Sequence, residues 1–204
     1  MRWSIVVPVK ATATGKSRLD GAPVDHSSLA LAIALDTVQA AAAAKRVDEV
    51  VVVSSDAQVQ AGVEGIDGAR CIPDPGMGLN GAVRVGLERA ANDARAALLG
   101  DVPALDPSDL DAALDLAERS ERSVVVDAEG SGSTLVAWRA PGTFEPHFGP
   151  DSAALHRGSG FAPLEVPQGS TVRRDVDTLE QLQAAAALGL GPRTTSLLAA
   201  ARAA

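Results

Sequence analysis

Short apolar runs alternate with longer stretches of helical spacing along the first half of the chain. Trp3-Ser4-Ile5-Val6-Val7, ended by Pro8, predicts a buried strand. A polar loop from Lys10 to Leu19 follows, and then Ser27 or Ser28 is placed to cap a long Ala/Leu helix reaching about Ala44. Glu49 to Val53 predicts a second buried strand that closes at Ser54-Ser55-Asp56, and Arg70-Cys71-Ile72 a short third one. Pro73-Asp74-Pro75-Gly76-Met77-Gly78-Leu79 must be a loop, with a helix after it from about Asn80 to Ala94.

Ala96 to Leu99 predicts a fourth strand, leaving at Gly100-Asp101-Val102-Pro103; Pro107 and Ser108 open a helix to about Arg119. Ser123 to Val126, a Gly/Ser turn at 130–133 and Thr134 to Trp138 read as a strand, a turn and a strand. Residues 144–160 read as a loop and short helix, 162–166 and 171–176 as extended, and a C-terminal helix is expected to start near Asp177. Repeated βα alternation implies an α/β fold, with a mixed, mostly parallel sheet and helices on both faces. With no repeat and no long linker, residues 1–204 read as one domain. Ligands of such folds sit beyond the C-terminal strand ends. Pro8 to Arg18, Ser54 to Asp56, Asp74 to Asn80 and Gly100 to Pro103 should therefore converge on one crevice.

Composition narrows the function classes. With 46% apolar residues but no Tyr, three Phe and two Trp, the core has to be built from Ala, Val and Leu, and base-stacking platforms are scarce. A net charge of −8 opposes non-specific nucleic-acid binding. Arg2, Lys10, Lys16 and Arg18 nevertheless precede the first acidic residue, Asp20, and give local positive charge. The single cysteine, Cys71, excludes an internal disulfide and a cysteine metal cluster. No apolar stretch approaches a membrane span, and a cytoplasmic protein without a membrane or nucleic-acid partner is expected.

Two glycine motifs invite a nucleotide reading and fail on context. Gly15-Lys16-Ser17 lacks the earlier glycine of a P-loop, since Lys10 stands in its place. Gly76-Met77-Gly78-Leu79-Asn80-Gly81 matches a dinucleotide fingerprint, but lies in the third crossover, two prolines beyond its strand. Asp101 follows a buried strand and should project into the crevice, either as a metal ligand or as a turn cap. In an extended 171–176 segment, Asp175 and Asp177 would face the same way and could share one hard cation. Asp177 to Glu180 reads equally as a capping box. Phe148-Gly149-Pro150-Asp151-Ser152 precedes a short helix whose amides suit a phosphate, and Gly132-Ser133-Thr134 offers a further amide and hydroxyl. His26, His147 and His156 have no metal-ligand spacing, and no covalent nucleophile stands out.

Taken together, Val7-Pro8-Val9-Lys10, Gly15-Lys16-Ser17-Arg18-Leu19, Gly78-Leu79-Asn80-Gly81-Ala82, Gly100-Asp101-Val102-Pro103, Gly132-Ser133-Thr134, Phe148 to Ser152 and Arg174-Asp175-Val176-Asp177-Thr178 resemble the guanylyltransferases of coenzyme F-420 biosynthesis. That family comprises the phosphoenolpyruvate and 2-phospho-L-lactate guanylyltransferases. The resemblance implies a three-layer, nucleotide-diphospho-sugar-transferase-like (GT-A-like), Rossmann-type fold. It implies transfer of GMP from GTP to a three-carbon phosphoacid with release of pyrophosphate, and a downstream transferase that takes an unstable product. Mg²⁺ would be held by Asp101, Asp175 and Asp177. Catalysis would rest on Asp101 with Lys10, Lys16 and Arg18 at the triphosphate. Pro8, Val9, Lys10, Ser54, Asp74, Gly78, Leu79, Asn80 and Ala82 would bind the nucleotide, and Thr134, Gly149 and Ser152 the phosphoacid. The Ala-rich composition is of the actinobacterial kind, which points to phosphoenolpyruvate; archaeal relatives are associated with 2-phospholactate. Other expectations are a related nucleotidyltransferase acting on molybdopterin or a sugar phosphate, and a nucleotide-binding regulatory domain without turnover.

Overall fold

The computed structural model describes residues 1–10, 24–140 and 144–203. Its elements are β1 (Trp3–Pro8), α1 (His26–Ala43), β2 (Val47–Val53), α2 (Ala57–Glu64), β3 (Ala69–Ile72), α3 (Gly78–Glu88), β4 (Arg95–Leu98), α4 (Pro107–Ala117), β5 (Arg122–Val126), β6 (Ser133–Trp138), α5 (Ser152–Gly158), β7 (Ala162–Pro163), a 3₁₀ turn at Thr171–Arg173, α6 (Leu179–Leu188) and α7 (Pro192–Ala203). The strands form one sheet in the order β3-β2-β1-β4-β6-β5-β7. β1 pairs in parallel with β2 and β4, and β2 with β3, whereas β6 runs antiparallel to both β4 and β5. β5 pairs in parallel with β7, so β6 is the one reversed strand among the described residues, and the expected mixed, mostly parallel sheet is present.

The alternation of side chains along each strand divides the core into two layers. Ile5, Val7, Val50 and Val52 pack under α1, α2 and α4, while Val6, Val51 and Val53 face α3 and the rings of Trp138, Phe144, Phe148 and Phe161. A third cluster packs Leu29 and Ile33 of α1 against Val176, Leu182 and Ala185, tying the C-terminal helices to the first crossover. Asp36, buried in α1, accepts hydrogen bonds from the Arg193 and Thr194 amides and so caps α7. No helix among the described residues is long and apolar enough to cross a membrane.

Several local expectations are corrected. Asp25, not Ser27 or Ser28, caps α1: its carboxylate accepts from the Ser28 amide at 2.9 Å and from both serine hydroxyls. An Asp two residues before Ser27 offers a charged acceptor to the same first turn, which the serines support as donors. The helix after the glycine loop starts at Gly78 and stops at Glu88, short of Ala94. Helices α2 and α7 were not expected; their few apolar positions make a weak helical pattern, and Asp56 and Asp36 supply their caps. Only Ala162–Pro163 of the 162–166 segment is strand.

The 171–176 segment is not extended. Thr171–Arg173 turns as a 3₁₀ helix, because Asp109 binds the Thr171 amide and hydroxyl while Arg173 donates to the carbonyls of Val126 and Asp127. The capping box also falls one residue later than expected: Thr178 accepts from the Gln181 amide, and Gln181 reaches back to Thr178.

Candidate active site

A cavity of about 600 Å³ opens at the C-terminal ends of β1 and β4. Here the chain leaves β1 for β2 on one side of the sheet and β4 for β5 on the other, the switch point where α/β sheets hold ligands. Pro8, Val9 and Lys10 leave β1 along one side of it, and Leu99, Gly100 and Asp101 leave β4 beside them. Because β6 is reversed, its first residue comes to the same end, with Ser131 to Ser133 on the opposite wall. Gly149 to Ser152 form the rim, and Ala30 and Ala34 of α1 add an apolar patch. Lys10 is the one cation among the described lining residues.

Asp101, Asp127, Asp175 and Asp177 share this cavity. A backbone bond sets the array: the Val176 amide donates to the Asp101 carbonyl at 2.9 Å, bringing the Asp175–Asp177 segment against the β4 exit. One Asp175 oxygen is buried with no hydrogen-bond partner. The Asp175 carboxyl is pushed up to about 8, first by burial and then by the charges of Asp101, Asp127, Asp177 and Glu129. Carboxylate oxygens of Asp127, Glu129 and Asp175 can all approach within 4.8 Å of one another. That group contains one member, Asp175, of the expected Asp101, Asp175 and Asp177 set. A carboxyl this crowded and this buried calls for a hard cation, which would favour its ionised form.

Asp127, 7% exposed, was not singled out from sequence. Its Oδ1 accepts from the amides of Gly130 and Ser131, and Oδ2 from Gly132, at 2.6 to 3.0 Å. One carboxylate thereby shapes the loop that precedes β6. Asp127-x-x-Gly-Ser-Gly sets an acidic acceptor just ahead of a Gly/Ser turn, and this was the signal available. Beyond the loop, Val126 pairs with Ser133 and Val125 with Leu135, so Thr134 is the extra residue of a bulge. Its hydroxyl is fully buried without a hydrogen-bond partner.

Of the residues expected at the site, Pro8, Val9, Lys10, Leu79, Asp101, Gly149, Ser152, Asp175 and Asp177 line the cavity. Lys16 and Arg18 lie outside the described residues. Ser54, Asp74, Gly78, Asn80, Ala82 and Thr134 are not among its lining. Ser54 is buried and accepts from the Asp56 amide; Asp74 accepts from the Gly76 amide and stiffens its own loop. Ala82 packs into the core beneath α3. Asn80 exchanges two hydrogen bonds with the Phe148 backbone. The amides expected to await a phosphate at the start of α5 are already used: Ser152 donates to the Gly149 carbonyl, Ala153 to Ser131 and Ala154 to Asp151. What residue 152 brings to the wall is therefore its side chain.

The sheet order and the acidic cavity at its switch point define a nucleotidyltransferase-like protein. The family of MobA-like NTP transferase domains matches residues 28–188. Among solved structures, a protein of Desulfovibrio desulfuricans classed with the nucleotide-diphospho-sugar transferases superposes with a TM-score of 0.68 at 15% identity, covering 100% of this chain and 96% of its own. A Mycobacterium tuberculosis protein solved with manganese gives 0.53 at 18% identity, over 91% and 98% of the two chains. These likenesses show the fold. The phosphoenolpyruvate guanylyltransferase of Salinispora arenicola is 46% identical, covering 96% of this chain and 92% of its own. That of Streptomyces scabiei is 45% identical over 98% and 97%. The chain belongs to the phosphoenolpyruvate guanylyltransferase family.

Proposed function

We propose that residues 1–204 act as a single guanylyltransferase domain. The enzyme moves GMP from GTP to the phosphate of phosphoenolpyruvate, releases pyrophosphate, and feeds the product to coenzyme F-420 biosynthesis. The observation that carries this reading is the buried Asp175 carboxyl at the β1/β4 switch point, ringed by four other carboxylates in a cavity lined by Lys10. Family membership supplies the nucleotide and the acceptor.

The donor set fits a divalent cation, and Mg²⁺ is the ion proposed. Asp101, Asp175 and Asp177 would hold it, with Asp127 close enough to share. Bound there, it would neutralise phosphate oxygens that the acidic wall alone would repel. The protein's own residues bind and orient. Lys10 presents a charge beside the β1 exit, with Pro8 and Val9 below it. Residues 74–79, stiffened by Asp74 and reaching the cavity at Leu79, would take the nucleoside, and the 131–133 and 149–152 walls the acid. The acceptor phosphate is itself the nucleophile and is ionised at neutral pH, so no base has to deprotonate it. This agrees with the groups available. His156 is buried and held down to about 4, chiefly by burial, and Cys71 lies off the cavity with its thiol pushed up by burial.

The test is pyrophosphate release by purified protein with Mg²⁺ and GTP, given phosphoenolpyruvate or 2-phospho-L-lactate in parallel. Release that requires both GTP and phosphoenolpyruvate supports the reading. Release with 2-phospholactate alone would change the acceptor. Release with neither acid, in folded protein that binds GTP, would remove it.

A further inference from the structure

We propose that His156 is the positioning residue of the phosphoacid half of the cavity: it sets the Ser133 hydroxyl as a donor to the acid and, with Asn80, fixes the 147–149 strap beside it. This rests on the guanylyl transfer proposed above. His156 is fully buried in α5, with Phe148 and Phe161 edge-on at 5.2 and 5.5 Å. Its Nε2 lies 3.0 Å from the His147 backbone nitrogen. A backbone amide only donates, so Nε2 must carry the lone pair, and the proton of the neutral ring sits on Nδ1. Nδ1 lies 3.0 Å from Ser133 Oγ, which therefore accepts.

A serine hydroxyl that accepts from one side keeps its own hydrogen for another partner. Ser133 is 2% exposed, and no second bond to its Oγ is formed among the described residues. Ser133 lines the cavity, so the missing acceptor is an oxyanion of the bound ligand. A phosphorylated carboxylate has such oxygens at both ends.

The strap is held on consecutive residues. His156 takes the amide of His147, while Asn80 Oδ1 accepts from the Phe148 amide at 2.8 Å and Asn80 Nδ2 donates to the Phe148 carbonyl at 3.0 Å. The next residue, Gly149, opens the cavity rim, and its carbonyl accepts from the Ser152 amide. Two side chains from different helices thus register the wall without lining the cavity themselves.

The experiment is steady-state pyrophosphate release, varying each substrate in turn, for the wild type, His156→Phe, His156→Gln, Ser133→Ala, Asn80→Ala and the His156→Phe/Ser133→Ala double variant, each checked for folding by its melting curve. His156→Phe and Ser133→Ala are expected to raise the KM for phosphoenolpyruvate about five- to tenfold. The KM for GTP should stay within about twofold, since the side-chain hydrogen bonds of both residues go to each other and to the 147–149 strap. Glutamine reaches the Nε2 position with an oxygen and should recover part of the loss. The double variant should raise that KM by less than the product of the two single effects, because His156 acts in part through Ser133. Additive losses, or an unchanged phosphoenolpyruvate KM in folded variants, would overturn the proposal. A GTP KM that rises as much as the acid KM in Asn80→Ala would move Asn80 to the nucleotide half and overturn the clamp. Should His156→Phe not fold, Ser133→Ala and His156→Gln carry the test. Wild type that releases no pyrophosphate with phosphoenolpyruvate would remove the underlying reading, and the proposal with it.

Discussion

Gly132→Ala isolates the loop that shapes the acid side of the cavity. A methyl group added at residue 132 would lie inside contact distance of Asp127 Oδ2 and 3.2 Å from its Cγ. That oxygen is the acceptor of the Gly132 amide, and the carboxylate is held by two further amides, so it has little freedom to withdraw. Overpacking costs about 1–3 kcal/mol, and a lost hydrogen bond to a charged acceptor about 1.5–3 kcal/mol. A total on the order of 3–5 kcal/mol corresponds to a fall in melting temperature of roughly 10 °C for a chain of this size. The control is Gly130→Ala, two residues away. There φ is +87° but no atom lies within 4 Å of the added carbon. Its cost is the backbone strain alone, about 1–2 kcal/mol. Differential scanning calorimetry and urea titration of both variants give the comparison, and kinetics should show a raised phosphoenolpyruvate KM for Gly132→Ala. A Gly132→Ala protein that melts within a degree or two of the wild type, or above Gly130→Ala, would refute the role assigned to Asp127.

Asp175→Asn should abolish turnover yet raise the melting temperature of metal-free protein. The native carboxyl is raised to about 8, so its penalty on the folded state grows as pH climbs from about 4 toward 8, and a neutral isostere removes it. Added Mg²⁺ should stabilise the wild type and not the variant; a metal response that survives the substitution counts against the cation site. Ser152→Ala should raise the phosphoenolpyruvate KM several-fold more than the GTP KM, and the opposite pattern would exchange the two halves of the cavity. His156 has a native value of about 4 against 6.5 when unfolded, so the unfolded chain alone takes up its proton as pH falls through that window. Stability contributed above pH 6.5 is lost on acidification toward pH 4, by an amount on the order of 2 kcal/mol after solvent screening. Urea titrations at pH 7 and pH 5 should show this drop in the wild type and a smaller one in His156→Phe; equal drops would show that the ring does not titrate as described.

The periodicities of the sequence determined the β1, β2 and β4 strands, the α1, α3 and α4 helices and the parallel character of the sheet, because each is a local pattern strong enough to survive packing. The same patterns put Lys10, Asp101, Gly149 and Ser152 at strand exits or loop tips, and they line the cavity. Asp175 and Asp177 reach it by another route. Alternation along an extended strand was expected, whereas a 3₁₀ turn held by Asp109 and Arg173 and a single amide bond to Asp101 bring them there. Only the tertiary structure decided those contacts, since each joins residues more than 40 positions apart. Tertiary structure likewise decided that Asn80 serves the Phe148 backbone, that Asp127 organises the loop before β6, and that His156 is a buried neutral link. Local sequence sets which conformations a segment prefers; which polar atom meets which is fixed when distant segments are packed and every buried donor and acceptor must find a partner.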